Sequence, residues 1–164
     1  KFFKGQYNND DAIFKLITYI FDPQKTPHKI KGATSVFPVK RHTMIQQFNK
    51  VQVYCRNTKG RKIYHIIVSF SEDEEMLFRL KDYQKIGYKI ATLFDNAHHQ
   101  TAFALHENTN NFHIHFAVNA VNFITGNKYH MQRSDYRQVS RHVKKIVNHM
   151  LKHRLKAVQR YHKK

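Results

Sequence analysis

Three histidines, His106, His113 and His115, have the residue type and spacing of a metal-binding group. Polar and apolar residues alternate through residues 112–119, so His113 and His115 are expected side by side on one face of a β-strand. Neutral imidazoles on a rigid sheet favour a divalent ion with open coordination positions. Such a site suits Mn²⁺, Zn²⁺, Ni²⁺ or Co²⁺ and holds Mg²⁺ more weakly.

The third histidine joins this face only if a neighbouring strand pairs in one register. Residues 102–106 also alternate, and the Asn-rich residues 108–111 between the two runs are typical of a turn. An antiparallel pair with Leu105 opposite Ile114 would place all three imidazoles on one face, beside small alanines that leave room for a ligand. The chain has 13 histidines, and an H-x-H pair alone also fits two solvated side chains. A metal site is favoured because this strand pairing adds His106 to the face that holds His113 and His115.

The charge indicates a polyanionic partner. The 164 residues carry 29 Lys and Arg against 11 Asp and Glu, a formal net charge of +18. Nucleic acid is the first expectation and an anionic membrane surface the second. No apolar run approaches the ~20 residues of a membrane span. The single cysteine, Cys55, excludes an intrachain disulfide or a cysteine-based zinc site and fits a reducing cytoplasm.

The hydrophobic pattern predicts an α+β domain with helices packed on a mostly antiparallel sheet of about five strands. Helical spacing predicts helices over residues 10–21, 42–57 and 71–95, and a long basic helix that Ser134 caps. Residues 61–70 are apolar on both faces, which predicts a central strand. Shorter strands are expected within residues 1–9, 33–39 and 128–131.

On a protein this basic, the substrate oxygen that a bound metal would meet is that of a phosphodiester. The metal would act as a Lewis acid, and the nucleophile would be water or a side-chain hydroxyl. No acidic cluster lies near the histidines in the sequence for two-metal nuclease chemistry. Glu107 is the only acid near the histidines and either orients one of them or is a solvated turn residue.

Three stretches, in order, resemble the motifs of relaxases in the HUH endonuclease superfamily, closest to the P-type, VirD2-like relaxases (mobilisation nucleases) of plasmids and integrative conjugative elements. The sequence H-x₆-H-I-H-F-A-V-N at residues 106–119 is similar to their third motif. The sequence L-I-T-Y-I at residues 16–20 looks like the first, and Y-H-I-I-V-S-F at residues 64–70 like the second. With T-G-N-K-Y-H at residues 125–130, the likeness spans about residues 16–130.

The resemblance implies site- and strand-specific nicking at an origin of transfer. Tyr19 would attack a backbone phosphate and form a 5′-phosphotyrosyl link that can later be resealed, with His106, His113 and His115 as ligands of Mn²⁺ or Mg²⁺. The partner would be single-stranded or hairpin DNA in the bacterial cytoplasm, with accessory transfer proteins. Residues 1–164 would form one nicking domain with the relaxase fold, in the N-terminal part of a longer protein.

The resemblance also marks residues around this centre. Ser69 would lie near bound DNA, with Lys25 and Thr26 as weaker candidates. Glu107 and Asn108 would support the ligands, although some relatives carry an acid in the turn where this chain has asparagine. Independently of the resemblance, the net charge of +18 indicates that outward basic residues of the last helix, Arg137 and Arg141 among them, contact phosphates and do not form only a solvated face.

Several alternatives stay open. Tyr7, Tyr129 and Tyr136 are rival nucleophiles. Replication initiators and transposases of the same superfamily often carry the tyrosine on a later helix, after the histidines. A non-catalytic nucleic-acid-binding module would leave the histidines idle and would bind DNA in a salt-dependent way without a covalent adduct.

Overall fold

A computed structural model describes residues 7–161, which form an α+β fold as predicted. The four strands of its antiparallel sheet are β1 (Lys31–Thr34), β2 (Ile63–Ser69), β3 (Thr101–His106) and β4 (His113–Asn119). The helices are α1 (Ala12–Ile20), α2 (Arg41–Tyr54), α3 (Glu72–Leu77), α4 (Leu80–Asp95) and α5 (Arg133–Tyr161).

The described residues contain one strand fewer than the five expected. Residues 128–131 do not form a strand; they contribute only an isolated bridge from Lys128 to Val121. The first six residues of the predicted N-terminal strand lie outside the described residues.

The register that the histidine hypothesis required is confirmed. Strands β3 and β4 pair with Leu105 opposite Ile114 and His106 opposite His113. Because side chains alternate across a strand, this register places His106, His113 and His115 on one face. The asparagine-rich segment connects the two strands as a bend, as its composition indicated.

Helices cover both faces of the sheet, and the two cores differ in the size of their side chains. On one face, large residues such as Phe103 and Phe116 pack with α4 and α5. On the histidine face, the fully buried alanines of β3 and β4 pack against α1 and α2. These alanines were expected to leave room for a ligand; instead they let α1 approach the sheet closely.

Strand β2 was expected at the centre of the sheet. Within the described residues the strand order is β1–β3–β4–β2, so β2 stands at its end and pairs with β4. Its apolar character on both faces has another cause: Ile63 belongs to the α1–α2 core, whereas Tyr64 and Ile66 belong to the α4–α5 core.

The helix predicted over residues 71–95 is interrupted at Phe78 and Arg79. Ser71 begins α3 with a capping box to Glu74, as its spacing indicated. Phe78 and Arg79 then take extended backbone angles. The buried Phe78 ring packs on Tyr83, and the carboxylate of Asp82 accepts a hydrogen bond from Arg79 N that starts α4. These tertiary and capping contacts stabilise a break in the helix, although the sequence pattern alone is compatible with one continuous helix.

Gly87 on α4 marks the close packing predicted from its place in the apolar stripe. A Cβ at this position would lie 2.2 Å from the ring of buried Phe103. We expect Gly87→Ala to lower the free energy of unfolding by about 1–3 kcal/mol, since overpacking outweighs the gain in helix propensity. Urea denaturation measures this free energy, and Lys89→Ala, at an exposed position on the same helix, is the control. Equal stability of Gly87→Ala and the parent would contradict this contact.

Helix α5 begins at Arg133 and has 29 residues, so Ser134, predicted as its cap, lies inside its first turn. The Asp135 carboxylate instead accepts a hydrogen bond from Gln132 N at the start of the helix. At 1.5 Å per residue it is roughly 43 Å long. Val147 and Met150 pack it against the sheet, while most of its arginines and lysines are exposed. Neither α5 nor any other helix within residues 7–161 combines the length and apolarity needed to cross a bilayer.

Candidate active site

The structure brings His106, His113 and His115 together as a triad at one end of β3 and β4. One ring nitrogen from each lies within 4.8 Å of those of the other two. His106 and His115 are almost completely buried, and His113 lies at the more open side. Among the described residues, this is the group of histidines, cysteines and acids that could hold a metal ion.

Hydrogen bonds orient the two buried imidazoles of the triad. Nε2 of His106 is 2.9 Å from the carbonyl oxygen of Ile20 at the end of α1. Nδ1 of His115 is 2.7 Å from Nε2 of His65 on β2. The remaining nitrogens, Nδ1 of His106 and Nε2 of His115, are buried without a hydrogen-bond partner among residues 7–161. Buried polar atoms are rarely left without a partner, so these two fit metal ligands.

The third imidazole is held in the same manner. Nδ1 of His113 is 3.0 Å from the carbonyl oxygen of Asn111 and 3.3 Å from Oγ1 of Thr109. This arrangement leaves Nε2 of His113 for a ligand. A histidine bound to metal commonly donates its other ring N–H to a protein group, and each member of the triad has such a partner. The donor set therefore fits a divalent transition metal.

Burial keeps the two buried imidazoles of the triad, those of His106 and His115, neutral. It lowers the pKa of His106 to about 4 and, with the neighbouring His106 and His65 rings adding to the effect, that of His115 to about 2. A neutral imidazole has a lone pair for a metal, whereas an imidazolium has none. At pH 7 both buried imidazoles are therefore in the form that can bind a metal ion.

Helix α1 carries Tyr19 to the triad. The buried residues of α1 pack on the alanine floor of the sheet, and Tyr19 lies on the side of the helix that faces the histidines. Its ring centroid is 5.4 Å from those of both His106 and His115. The side chain is 42% exposed, so a substrate can reach the phenol from solvent.

Lys25 and Thr26, in the loop after α1, have different surroundings. Nζ of Lys25 is 3.8 Å from the centroid of the Tyr19 ring, which places a positive charge at the triad. The hydroxyl of buried Thr26 donates to the carbonyl oxygen of Asp22, so this side chain stabilises the loop. Only Lys25 of this pair is placed to meet a substrate.

Glu107 and Asn108 follow His106 but contact no triad imidazole through a hydrogen bond that the structure gives. The Glu107 carboxylate is 4% exposed and pairs through Oε2 with Nδ1 of His28 in the loop after α1. Its other oxygen has no hydrogen-bond partner within the described residues. Glu107 thus ties the loop that carries Lys25 to the end of β3. Asn108 is exposed on the turn.

Ser69 lies opposite His113 at the end of β2. It is exposed and lines an open groove with His113 and the turn that contains Asn108. Arg137 and Arg141 line a second groove on α5, together with Arg133 and Tyr136. These grooves hold the predicted DNA-binding residues that the triad itself does not contact.

One residue near the triad, His65, was not singled out as a candidate from the sequence. His65 is buried beside His115, and its Nδ1 is 2.9 Å from the hydroxyl of Tyr7. Burial, with the nearby His106 ring, lowers the pKa of His65 to about 4. The alternation of β2 could have identified it. His65 and Ser69 are an even number of positions apart, so both side chains lie on the same face of the strand, the face of the predicted site.

The rival tyrosines stand in different places. Tyr7 and Tyr19 line one cavity with His65, so Tyr7 is close to the site. Tyr129 packs into the core on the opposite face of the sheet, where burial and Asp135 raise its pKa. Tyr136 is on α5, the helix that packs against that opposite face.

Comparison with known proteins agrees with these features. Residues 19–150 match the family model described as relaxase, MobA/VirD2-like, nuclease domain. The chain is also 31% identical over 108 residues to protein TraI of Escherichia coli, a match that covers 65% of this chain and 14% of TraI. The chain thus spans a small part of that relative's length. With four-fifths of its residues in the family match, the chain belongs to the MobA/VirD2-like relaxase nuclease family.

Proposed function

We propose that this chain nicks one DNA strand at an origin of transfer by tyrosine transesterification. The Tyr19 oxygen attacks a backbone phosphorus, the bond from phosphorus to the 3′ oxygen breaks, and that oxygen leaves as a 3′-hydroxyl. The DNA 5′ phosphate is then bonded to Tyr19, and attack by a 3′-hydroxyl reverses the step. The observation that supports this most is the 5.4 Å separation of the Tyr19 ring from two triad imidazoles.

The triad residues His106, His113 and His115 would hold a divalent ion, with Mn²⁺ or Mg²⁺ as the leading candidates and Zn²⁺, Ni²⁺ or Co²⁺ also compatible with the ligands. When bound, the ion would stabilise negative charge on the phosphate oxygens as a Lewis acid. The chain itself adds the Lys25 ammonium on the face of the Tyr19 ring. This charge is placed to attract the phosphate to the nucleophile.

The DNA strand has a continuous path away from the triad. The groove beside His113 shares Ser69 with a groove between β2 and α5, which in turn shares Ser140 with the arginine groove of α5. Lys144 adds a positive charge at the middle segment. We infer that the strand passes Ser69 and then lies along the basic face of α5, where phosphates are neutralised.

Arg137 and Arg141 test this path. Replacing either arginine by alanine should weaken DNA binding. The loss should be similar for single-stranded oligonucleotides of different sequence, because a phosphate contact does not read sequence. Each loss should reduce the slope of log K against log salt by about 0.7 for a single strand. Fluorescence anisotropy measures this, with Arg160→Ala near the far end of α5 as a charge-matched control. An unchanged slope in both variants would rule out this path.

The direct test of the proposed activity is covalent capture. An oligonucleotide that carries an origin-of-transfer sequence, labelled at each end in turn, is incubated with the protein and Mn²⁺ and resolved on a denaturing gel. The proposal requires metal-dependent cleavage and a protein adduct on the 5′ phosphate side. Salt-dependent binding without any adduct would instead indicate a non-catalytic DNA-binding module.

A further inference from the structure

A hydrogen-bonded chain of side chains leads from the triad through His65 to Tyr7. Nδ1 of the buried His115 is 2.7 Å from Nε2 of His65, and Nδ1 of His65 is 2.9 Å from the Tyr7 hydroxyl. His65 stands opposite Ala117 in the pairing of β2 with β4. That small side chain leaves space for the His65 ring to lie 4.9 Å from the ring of His115.

The direction of this chain follows from the role of His115. Its Nε2 is buried and has no hydrogen-bond partner in the part of the chain that the structure describes, and a metal needs a lone pair there. The proton of the neutral imidazole must then be on Nδ1, which donates to Nε2 of His65. A neutral His65 that accepts at Nε2 carries its own proton on Nδ1 and donates it to the oxygen of Tyr7.

We propose that His65 is a positioning residue that holds His115 in the tautomer and orientation that bind metal, and that Tyr7 fixes His65 in turn. Tyr7 is therefore assigned a supporting role and not that of nucleophile. The inference rests on the proposed function only in taking the triad as a metal site. Metal affinity is measurable without DNA, so this inference and the proposed nicking reaction can fail independently.

The test is titration of Mn²⁺ into the metal-stripped chain by calorimetry. His65→Ala should lower Mn²⁺ affinity about 10- to 100-fold, the usual effect of removing a group that orients a metal ligand. His65→Gln should restore most of the affinity, because its amide oxygen can accept the bond from His115. Tyr7→Phe, one step further from the metal, should cause a smaller loss.

His99→Ala is the matched control. His99 is as buried as His65, at 6% exposure each, but it contacts Asn119 and Tyr129 instead of the triad. A general loss of packing would affect both alanine variants alike, and thermal melting measures it. The inference is overturned if His65→Ala binds Mn²⁺ as tightly as His99→Ala, or if His65→Gln loses as much affinity as His65→Ala.

If His65→Ala does not fold, the two conservative variants decide. Tyr7→Phe should then melt near the parent temperature and bind Mn²⁺ more weakly, while His65→Gln binds nearly as the parent does. If a folded Tyr7→Phe chain bound Mn²⁺ as tightly as the parent does, the inference would be overturned. If the variants show the expected Mn²⁺ affinities but the parent chain does not nick DNA, the proposed function fails and this inference stands.

Discussion

Tyr19→Phe is expected to abolish the covalent DNA adduct, with a loss of about a thousandfold or more in adduct formation, as for removal of a catalytic nucleophile. The substitution removes one hydroxyl and leaves the ring that packs near His106 and His115. Fold and non-covalent DNA binding should therefore be retained. The measurement is a denaturing gel with an end-labelled oligonucleotide, alongside anisotropy for binding.

Two further measurements make this result decisive. Tyr54→Phe is the control, because Tyr54 is 89% exposed on α2 and is not among the tyrosines that line the site. It should form the adduct at the parent rate. Mass spectrometry of the trapped peptide should find the nucleotide on Tyr19. An adduct mapped to Tyr7, or full activity of Tyr19→Phe, would reject Tyr19 as nucleophile.

His113→Ala is expected to lower Mn²⁺ affinity by more than about 100-fold, since loss of a ligand should exceed the 10- to 100-fold effect of losing a group that supports one. Nicking at limiting Mn²⁺ should fall with it. His113 is the most accessible member of the triad, so its truncation removes less packing than a change at His106 or His115. Calorimetry measures the affinity, and a metal titration of nicking measures the dependence.

The control for this variant is His42→Ala, which removes an exposed histidine on α2. It should leave Mn²⁺ affinity unchanged. A high Mn²⁺ concentration should partly restore nicking in His113→Ala, because two ligands remain. If His113→Ala bound Mn²⁺ as the parent does, the triad would not be the metal site, and the role of its orphaned nitrogens would need another explanation.

The packing of α1 on the sheet brings the proposed nucleophile, Tyr19, to the triad. Strands β3 and β4 present alanines on the histidine face, and α1 packs directly on them. The close approach places Tyr19 beside the triad, and the carbonyl oxygen of Ile20, the last residue of α1, orients His106. The same helix end thus positions both a ligand and the proposed nucleophile.

Local pattern was sufficient for the histidine hairpin. Alternation defines which residues share a face, and a short asparagine-rich turn limits how two adjacent strands can pair, so the register of Leu105 with Ile114 followed from neighbouring residues alone. Periodicity likewise located most helices to within a few residues. The order of the three motifs along the chain led to the family, because this order can be read without knowing which residues meet in the folded protein.

Contacts between distant segments could not be read from pattern. Tyr19 and the triad are separated by about ninety residues, and only the packing of α1 on the sheet brings them together. The pairing of Glu107 with His28, the break at Phe78 and the link from His65 to His115 also depend on which side chains meet after the helices dock. Periodicity assigns a residue to a face, whereas its partner on that face is chosen by tertiary packing.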